Sequence, residues 1–173
     1  MPTLDDVQQL AAIAHMGQVD KIGIPYVEHV RAVAAGLVTF DPEVQMAGLL
    51  HDVLEDTDLT AADLRKSGIP EHVINTVMLV TRHPADMYSD TLRMIISSHD
   101  ATLVKIADNA HNSHPDRAAQ LPAEKREKLA ERYARAREVL WPAVDPKDVE
   151  AIVSIVNPAL LSELREKTAL VWA

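Results

Sequence analysis

The segment with the highest density of potentially reactive side chains spans residues 49–56 and reads LLHDVLED. In a continuous helix, residues three and four positions apart share a face, so the polar side chains of this apolar stretch are expected to project to one side. These side chains are His51, Asp52, Glu55 and Asp56. Buried imidazoles and carboxylates without partners are unfavourable, and adjacent carboxylates repel one another. A divalent cation would compensate the whole group; a structural His-Asp pair followed by a solvated helix end is the alternative.

Two further residues have the chemistry to complete a metal site. His29 lies near the start of a predicted helix, and Asp108 lies within the apolar segment 103–109, LVKIADN. Helical spacing puts Lys105, Asp108 and Asn112 on one face. Taken singly, His29 could be a core histidine and Asp108 a salt-bridge partner of Lys105. Together with the first group they give two imidazoles and two carboxylates, a ligand set that suits Mn²⁺, Fe²⁺, Co²⁺ or Zn²⁺ better than Ca²⁺ or Mg²⁺.

The composition excludes several other kinds of site and partner. The 173 residues include no cysteine, which rules out disulfides, thiolate zinc sites and cysteine nucleophiles. The formal net charge is −9 without a dense run of lysine or arginine, so nucleic acid polymers are not expected as partners. No apolar stretch approaches the ~20 residues that span a bilayer. We therefore expect a cytoplasmic protein with no membrane partner, whose oligomeric state the sequence leaves open.

Helices must position these side chains, because helical periodicity recurs along the chain and no convincing strand is present. Aromatic residues are only 3% of the sequence, so we expect an aliphatic core. Asp41-Pro42-Glu43 is typical of a helix start, Thr60 with Asp63 resembles a capping box, and Gly68 is expected to end a short helix. Other helices are predicted over residues 4–18, 25–39, 42–56, 70–82, 89–98, 101–112, 122–140, 146–156 and 158–168, with a loop at His83 to Met87. The sequence thus predicts one all-α domain.

Three ordered blocks of sequence resemble a known family over about residues 7–140. The blocks are Gln18-x-x-Lys21-x-x-x-Pro25-Tyr26-x-x-His29, then Leu49-Leu50-His51-Asp52-x-x-Glu55-Asp56, then Val104-Lys105-Ile106-Ala107-Asp108-x-x-x-Asn112. They are similar to the HD phosphohydrolases, and more narrowly to the (p)ppGpp hydrolase branch. That branch includes the hydrolase domain of Rel/Spo-type enzymes and the small alarmone hydrolases.

The resemblance implies a fold, a metal, a reaction and a set of site residues. It implies a single HD-type domain over residues 1–173, of about eight helices, with the C-terminal helices in 146–168 packed on it. The implied metal is one Mn²⁺, held by His29, His51, Asp52 and Asp108. Glu55 and Asp56 would position and activate the water that releases pyrophosphate from the 3′-position of a nucleotide. Lys21 and Asn112 would contact this small substrate, and Tyr133 would lie near the nucleotide.

The sequence departs from the family pattern at two places in the substrate-recognition segments. Val19-Asp20-Lys21 lacks an arginine expected to face the base, and Asn112 is followed by Ser113-His114-Pro115-Asp116-Arg117 in place of the usual arginine-bearing segment. His111 and His114 flank Asn112 and could replace the lost recognition groups. Two alternatives therefore stay open: an HD hydrolase of another nucleotide, and a catalytically silent nucleotide-binding module. The presence of both Glu55 and Asp56 argues against the silent module.

Overall fold

Helices account for all the regular secondary structure that the computed structural model describes, which covers residues 1–83 and 87–171, with side chains to 169. The predicted all-α class is confirmed, since the only β-type pairing among the described residues is an isolated bridge between Val19 and Pro25. The helices are α1 (Leu4–Ala14), α2 (Tyr26–Gly36), α3 (Pro42–Leu50), α4 (Val53–Asp56), α5 (Ala61–Lys66), α6 (Glu71–Val80), α7 (Tyr88–Ile95), α8 (His99–Asn112), α9 (Pro115–Ala118), α10 (Ala123–Leu140), α11 (Pro146–Val156) and α12 (Leu161–Val171).

Most predicted helices are present, with ends that differ by a few residues. The described residues contain more helices than the predicted eight or so: α4 is separate from α3, and α9 is a short turn that was not predicted, whereas α5 is the predicted short helix. The capping predictions are confirmed: Asp41 accepts a hydrogen bond from the Glu43 amide, and Thr60 forms a capping box with Asp63. Gly68 follows α5 with a φ of +77°. Residues 84–86 of the predicted loop lie outside the described residues.

The prediction of one continuous helix over 42–56 is wrong. α3 ends at Leu50 and α4 begins at Val53, with Asp52 at φ −105° and ψ −3° between them. The His51 side chain contributes to this break, because its Nδ1 atom lies 2.8 Å from the Gly48 carbonyl oxygen at the end of α3. The carbonyl of Asp52 then accepts the first hydrogen bonds of α4. The four polar residues of this segment are therefore arranged around a turn and not along one helical face.

α8 lies at the centre of the fold, where it packs against α2, α3, α6, α10 and α11. Most of its length is buried, including Asp108. The core around it is aliphatic as predicted, with Trp141 its one aromatic residue among the described positions. α2 and α11 approach closely at Gly36, where a Cβ atom would lie 2.3 Å from Val156 Cγ2. This packing fixes the helices that carry the polar residues against one another.

The long polar helix α10 is attached to both the central helix and the C-terminal helix. Arg137 of α10 donates to both carboxylate oxygens of Glu163 in α12 and to Asn109 in α8.

The described helices include none that is long and apolar enough to cross a membrane. The extent of the domain, 1–173, stays a prediction.

Candidate metal centre

Three side chains from separate parts of the chain form a buried His/Asp group. His29 comes from α2, His51 from the turn after α3, and Asp108 from α8. Their potential ligand atoms all lie within 4.8 Å of one another. Asp108 Oδ1 lies 3.3 Å from His29 Nε2 and 3.7 Å from His51 Nε2. This group can hold a divalent metal ion, as the residue types had indicated.

Asp52 adjoins the same group from the other side. Its Oδ2 atom lies 2.9 Å from His51 Nε2 and 3.5 Å from His29 Nε2, and it accepts a 2.7 Å hydrogen bond from the Tyr26 hydroxyl. Burial alone would raise the pKa of Asp52, but the neighbouring charge of His51 outweighs it and holds that pKa well below its usual range. Asp52 is thus a carboxylate, as a metal ligand must be.

The orientation of His51 suits metal coordination. Its Nδ1 faces the Gly48 carbonyl, which can only accept, so Nδ1 carries the proton and Nε2 is directed at the carboxylates. Nε2 is fully buried, and its 2.9 Å contact with Asp52 Oδ2 does not have hydrogen-bond geometry. Without a cation, burial would lower the pKa of His51, but the charges of Asp52 and Asp108 raise it to about 10. Either a proton or a metal ion on Nε2 can compensate the negative charges of Asp52 and Asp108, and metal binding requires the neutral ring.

His29 is oriented by a second histidine, His111. The two Nδ1 atoms lie 2.7 Å apart, so one must donate and the other accept. Burial, followed by the charges of His29 and Arg117, lowers the pKa of His111 to about 3, which keeps its ring neutral. If His111 accepts through Nδ1, His29 donates from Nδ1 and directs Nε2 at the carboxylates. Burial would lower the pKa of His29, but the contacts of Nε2 with Asp108 and Asp52 outweigh it and raise that pKa. Nε2 can therefore hold a proton or, when the ring is neutral, a metal ion.

Asp108 is held by two residues of its own helix. Lys105 Nζ donates to Oδ2 at 2.7 Å, and Asn112 Nδ2 donates to Oδ1. Burial would lower the pKa of Lys105, but the charge of Asp108 outweighs it and raises that pKa. Both contacts keep Asp108 ionised and oriented. The helical spacing of Lys105, Asp108 and Asn112 had predicted that these three side chains share one face of α8.

A cavity of about 440 Å³ opens beside the His/Asp group. Apart from His51, which lies behind the group, every residue predicted to belong to the site lines this cavity. These residues are Lys21, His29, Asp52, Glu55, Asp56, Asp108, Asn112 and Tyr133. The structure therefore brings the predicted set together around one space large enough for part of a nucleotide.

Glu55 and Asp56 are fixed at the cavity wall through α4. Glu55 Oε2 accepts a 3.0 Å hydrogen bond from the backbone N–H of Arg82. Burial, together with the charges of Asp52 and Asp56, raises the pKa of Glu55 despite this hydrogen bond. The backbone carbonyl of Asp56 accepts from Gln18 Nε2 at 2.7 Å, which anchors the end of α4. A carboxylate with a raised pKa is better suited to take a proton than an ordinary one.

Lys21 lies in a positively charged part of the cavity. Burial, followed by the charges of Lys125 and Arg132, lowers the pKa of Lys21. The Arg132 guanidinium also packs over the ring of Tyr88, 4.4 Å from its centroid. Tyr133 follows Arg132 in α10, and partial burial raises the pKa of its hydroxyl. The cavity thus has carboxylates near Glu55 and a concentration of cations around Lys21.

The two departures from the family pattern lie in contact. Asp20, where the expected arginine is absent, accepts a 2.7 Å hydrogen bond from Arg117 Nη1 of α9. Asp20 also accepts hydrogen bonds from the amides of Ile22 and Ile24. A guanidinium therefore does line this part of the cavity, but it comes from a different segment of the chain.

Tyr26, Arg82 and Arg132 had no role assigned from the sequence, and His111 was suggested as a recognition group, whereas its Nδ1 lies 2.7 Å from His29 Nδ1. Tyr26 is in a quoted motif, but nothing local indicated its contact with Asp52. His111 lies three residues after Asp108, so the helical spacing could have indicated its place at the site, whereas its contact with His29 depends on the packing of α8 against α2. Arg82 and Arg132 gave no usable signal, since isolated arginines are common on protein surfaces.

The fold and the His/Asp group define a helical protein with a candidate divalent-metal centre at a polar cavity. The sequence model of the HD domain family matches residues 8–152, and the chain belongs to that family.

Similar proteins include a guanosine-3′,5′-bis(diphosphate) 3′-pyrophosphohydrolase of Haemophilus influenzae, 32% identical over 70% of this chain and 19% of that protein. A bifunctional (p)ppGpp synthase/hydrolase, SpoT, of Escherichia coli is also 32% identical over 70% of this chain and 19% of its own length. The chain spans about a fifth of the length of these curated relatives. A solved structure described as a metazoan ortholog of SpoT that hydrolyses ppGpp superposes with a TM-score of 0.72 at 27% identity, covering 90% of this chain and 95% of that one.

Proposed function

We propose that this chain is a metal-dependent phosphohydrolase that removes pyrophosphate from the 3′-position of a (p)ppGpp-like nucleotide. The observation that carries the proposal is the convergence of a buried His/Asp group and the Glu55-Asp56 pair on one cavity that also contains Lys21. The names of the similar proteins support the reaction and the substrate class. The chain's own cations near Lys21 suit a ligand with several phosphates.

The residues that would hold the metal are His29, His51, Asp52 and Asp108. Mixed imidazole and carboxylate donors favour a first-row transition metal, and Mn²⁺ is the ion that we propose for this site. When bound, such an ion polarises the P–O centre and lowers the pKa of a coordinated water. The buried Nε2 of His51, which makes no hydrogen bond, supports a cation at this position.

Glu55 and Asp56 would handle the attacking water. The Arg82 amide holds the Glu55 carboxylate in place, and the raised pKa of Glu55 suits it to take the proton of the water as the new P–O bond forms. Asp56, at the next position of α4, would orient the same water. The bond that breaks joins the phosphorus to the ribose 3′-oxygen; this oxygen takes up a proton to become the 3′-hydroxyl, and the diphosphoryl group leaves with the water oxygen as pyrophosphate.

Lys21, Asn112 and Tyr133 would hold the rest of the substrate. Lys21 offers a charged donor to a phosphate oxygen, and neighbouring Lys125 and Arg132 strengthen the local positive potential. Asn112 donates to Asp108 through its amide nitrogen, which leaves its amide oxygen to accept from a ribose hydroxyl. Tyr133 presents a partly buried ring to the same cavity.

The test of this function is Glu55→Gln, assayed with Mn²⁺ and ppGpp and followed by pyrophosphate release. Loss of positioned acid–base help should lower kcat by about 10²–10⁴-fold. Metal content measured by elemental analysis should stay near that of the unmodified protein. Glu150→Gln, an exposed position on α11, is the matched control and should leave turnover unchanged. If Glu55→Gln also lost the metal, Glu55 would be a ligand and the proposed roles would be wrong.

Hydrolysis of a different nucleotide is the second candidate, favoured by Asp20, where the arginine expected to face the base is absent. A panel of ppGpp, pppGpp, nucleoside monophosphates, dNTPs and 3′- or 2′-phosphorylated cofactors would separate the candidates by product: pyrophosphate, phosphate or triphosphate. Ligand-dependent stabilisation without any product would instead indicate a silent nucleotide-binding module.

A further inference from the structure

We propose that Arg117 binds an oxygen of the substrate's non-scissile phosphate group and that Asp20 positions it for this contact. The inference rests on the proposed function, because it names a further residue of the same substrate site. It assigns a recognition role to the two positions where the sequence departs from its family.

Arg117 is placed to reach a ligand. It lies in α9, its side chain is 17% exposed, and it lines the cavity that the His/Asp group adjoins. Its Nη1 atom donates to Asp20 Oδ2 at 2.7 Å. A guanidinium carries five N–H donors in a rigid fork, so this single contact with Asp20 leaves others that can pair with a phosphate oxygen.

Asp20 has little capacity to contact a ligand itself. Its side chain is 5% exposed, its Oδ1 accepts from the amides of Ile22 and Ile24 at 2.9 and 3.0 Å, and its Oδ2 is taken by Arg117. These contacts fix the loop that carries Lys21 and set the direction of the guanidinium. Asp20 is therefore a positioning residue, and the donor that faces the cavity is Arg117.

The local charge indicates that the ligand is an anion. The charges of Lys125, Arg132 and Arg117 act on Lys21 and together outweigh the opposing charge of Asp108, while Asp20 is the carboxylate bound to Arg117. Cations that repel one another around a cavity are stabilised when a polyanion binds between them. The scissile phosphate is assigned to the metal centre and Glu55, so these cations remain for a second phosphate group. A substrate with phosphates at both 3′ and 5′ positions meets this requirement.

The test compares two substrates that differ only in the second phosphate group: ppGpp and guanosine 3′-diphosphate. Arg117→Gln should raise KM for ppGpp about 10–100-fold, as expected for loss of a charged hydrogen bond, with kcat within a few-fold. KM for guanosine 3′-diphosphate should stay unchanged. Arg117→Lys should retain part of the discrimination, and Asp20→Asn should lose part of it.

Arg65→Gln is the matched control, because Arg65 also pairs with a carboxylate, Glu71, but is exposed and outside the cavity. It should leave both KM values unchanged. Thermal melts of every variant show whether it is folded, and Arg117→Lys carries the test if Arg117→Gln is not.

Calorimetry gives a second readout that needs no turnover. In the Glu55→Gln background, Arg117→Gln should weaken ppGpp binding by the same factor while leaving guanosine 3′-diphosphate binding unchanged. Equal losses for both ligands, or a fall in kcat alone, would overturn the role of Arg117 while leaving the proposed function intact. Failure of the unmodified protein to bind or hydrolyse either nucleotide would overturn the proposed function and this inference together.

Discussion

At the scale of single residues, the contacts of the Nδ1 atoms set the orientation and tautomer of the two candidate metal-binding histidines, His29 and His51. His51 is fixed by a backbone carbonyl and His29 by the ring of His111. Such outer partners set the tautomer of a ligating histidine and raise its basicity. The contact between His29 and His111 joins residues 82 positions apart and depends entirely on the packing of α8 against α2.

Replacing His111 is expected to weaken metal binding without unfolding the protein. His111→Ala removes the acceptor for His29 Nδ1, so affinity for Mn²⁺ should fall about 10–100-fold. His111→Asn, whose side-chain oxygen can take the position of Nδ1, should retain more of the affinity. Competition with a chelator of known affinity measures the change.

His99→Ala is the matched control for this variant, because His99 is exposed and pairs with surface carboxylates. It should bind Mn²⁺ as the unmodified protein does. If His111→Ala also bound Mn²⁺ with unchanged affinity, His111 would have no part in orienting His29.

At the scale of elements, close approaches between helices set the position of the ligands that they carry. α2, which carries His29, packs closely against α11 at Gly36 and against α3 at Gly48. A Cβ atom at Gly48 would lie 2.7 Å from Leu37 Cδ1 and 3.3 Å from Ala34 Cα. The carbonyl of Gly48 also orients His51. The same short α2–α3 distance therefore serves packing and the metal centre.

Gly36→Ala is expected to destabilise the fold although alanine is the better helix former. The new methyl group would lie 2.3 Å from Val156 Cγ2 in the core. Overpacking of this kind costs about 1–3 kcal/mol, against a helix-propensity gain of about 1 kcal/mol. We therefore expect a net loss of up to about 2 kcal/mol in the free energy of unfolding, measured by urea denaturation.

The double variant Gly36→Ala/Val156→Ala is the control, because it removes the atom that the new methyl group meets. It should be less destabilised than the sum of the two single variants. Additive losses would show that the α2–α11 contact relaxes and that Gly36 is not required for close packing.

At the scale of the whole molecule, the candidate metal joins parts of the chain that are far apart in sequence. A bound ion would tie α2, the turn after α3 and α8 to one another through His29, His51 and Asp108. An ion that binds the folded state and not the unfolded chain stabilises the whole fold, by about 2.7 kcal/mol at a hundred times its Kd.

This stabilisation is expected to increase with pH between 6 and 8. Without metal, the pKa of His51 is raised to about 10 in the folded protein, compared with about 6.5 in the unfolded chain. Protonation of His51 therefore stabilises the fold fully below pH 6.5, and this contribution is lost as pH rises towards 10. Mn²⁺ must displace that proton. Each unit of higher pH should therefore raise the apparent metal affinity about tenfold and the metal-dependent stabilisation by about 1.4 kcal/mol.

Melting temperatures with and without Mn²⁺ at pH 6, 7 and 8 measure this effect. The gap between the two curves should widen as pH rises, and Asp108→Asn should abolish it. A metal-induced shift that is the same at pH 6 and pH 8 would mean that His51 holds no proton for the metal to displace.

The sequence by itself determined the helical class and the aliphatic core, and it predicted a set of site residues that the fold brings to one cavity. Helical faces and caps are local properties, so the strip of Lys105, Asp108 and Asn112 and the caps at Asp41 and Thr60 could be predicted from spacing. The HD-type motifs predicted the remaining site residues by resemblance.

Only the tertiary structure decided how these local elements meet. It showed the break at His51-Asp52, the contact of His111 with His29, and the pairing of Asp20 with Arg117 across 97 positions. A histidine side chain bonding back to its own helix interrupts a pattern that looks continuous in sequence. Contacts between distant segments depend on how whole helices pack, and no local spacing of residues encodes that.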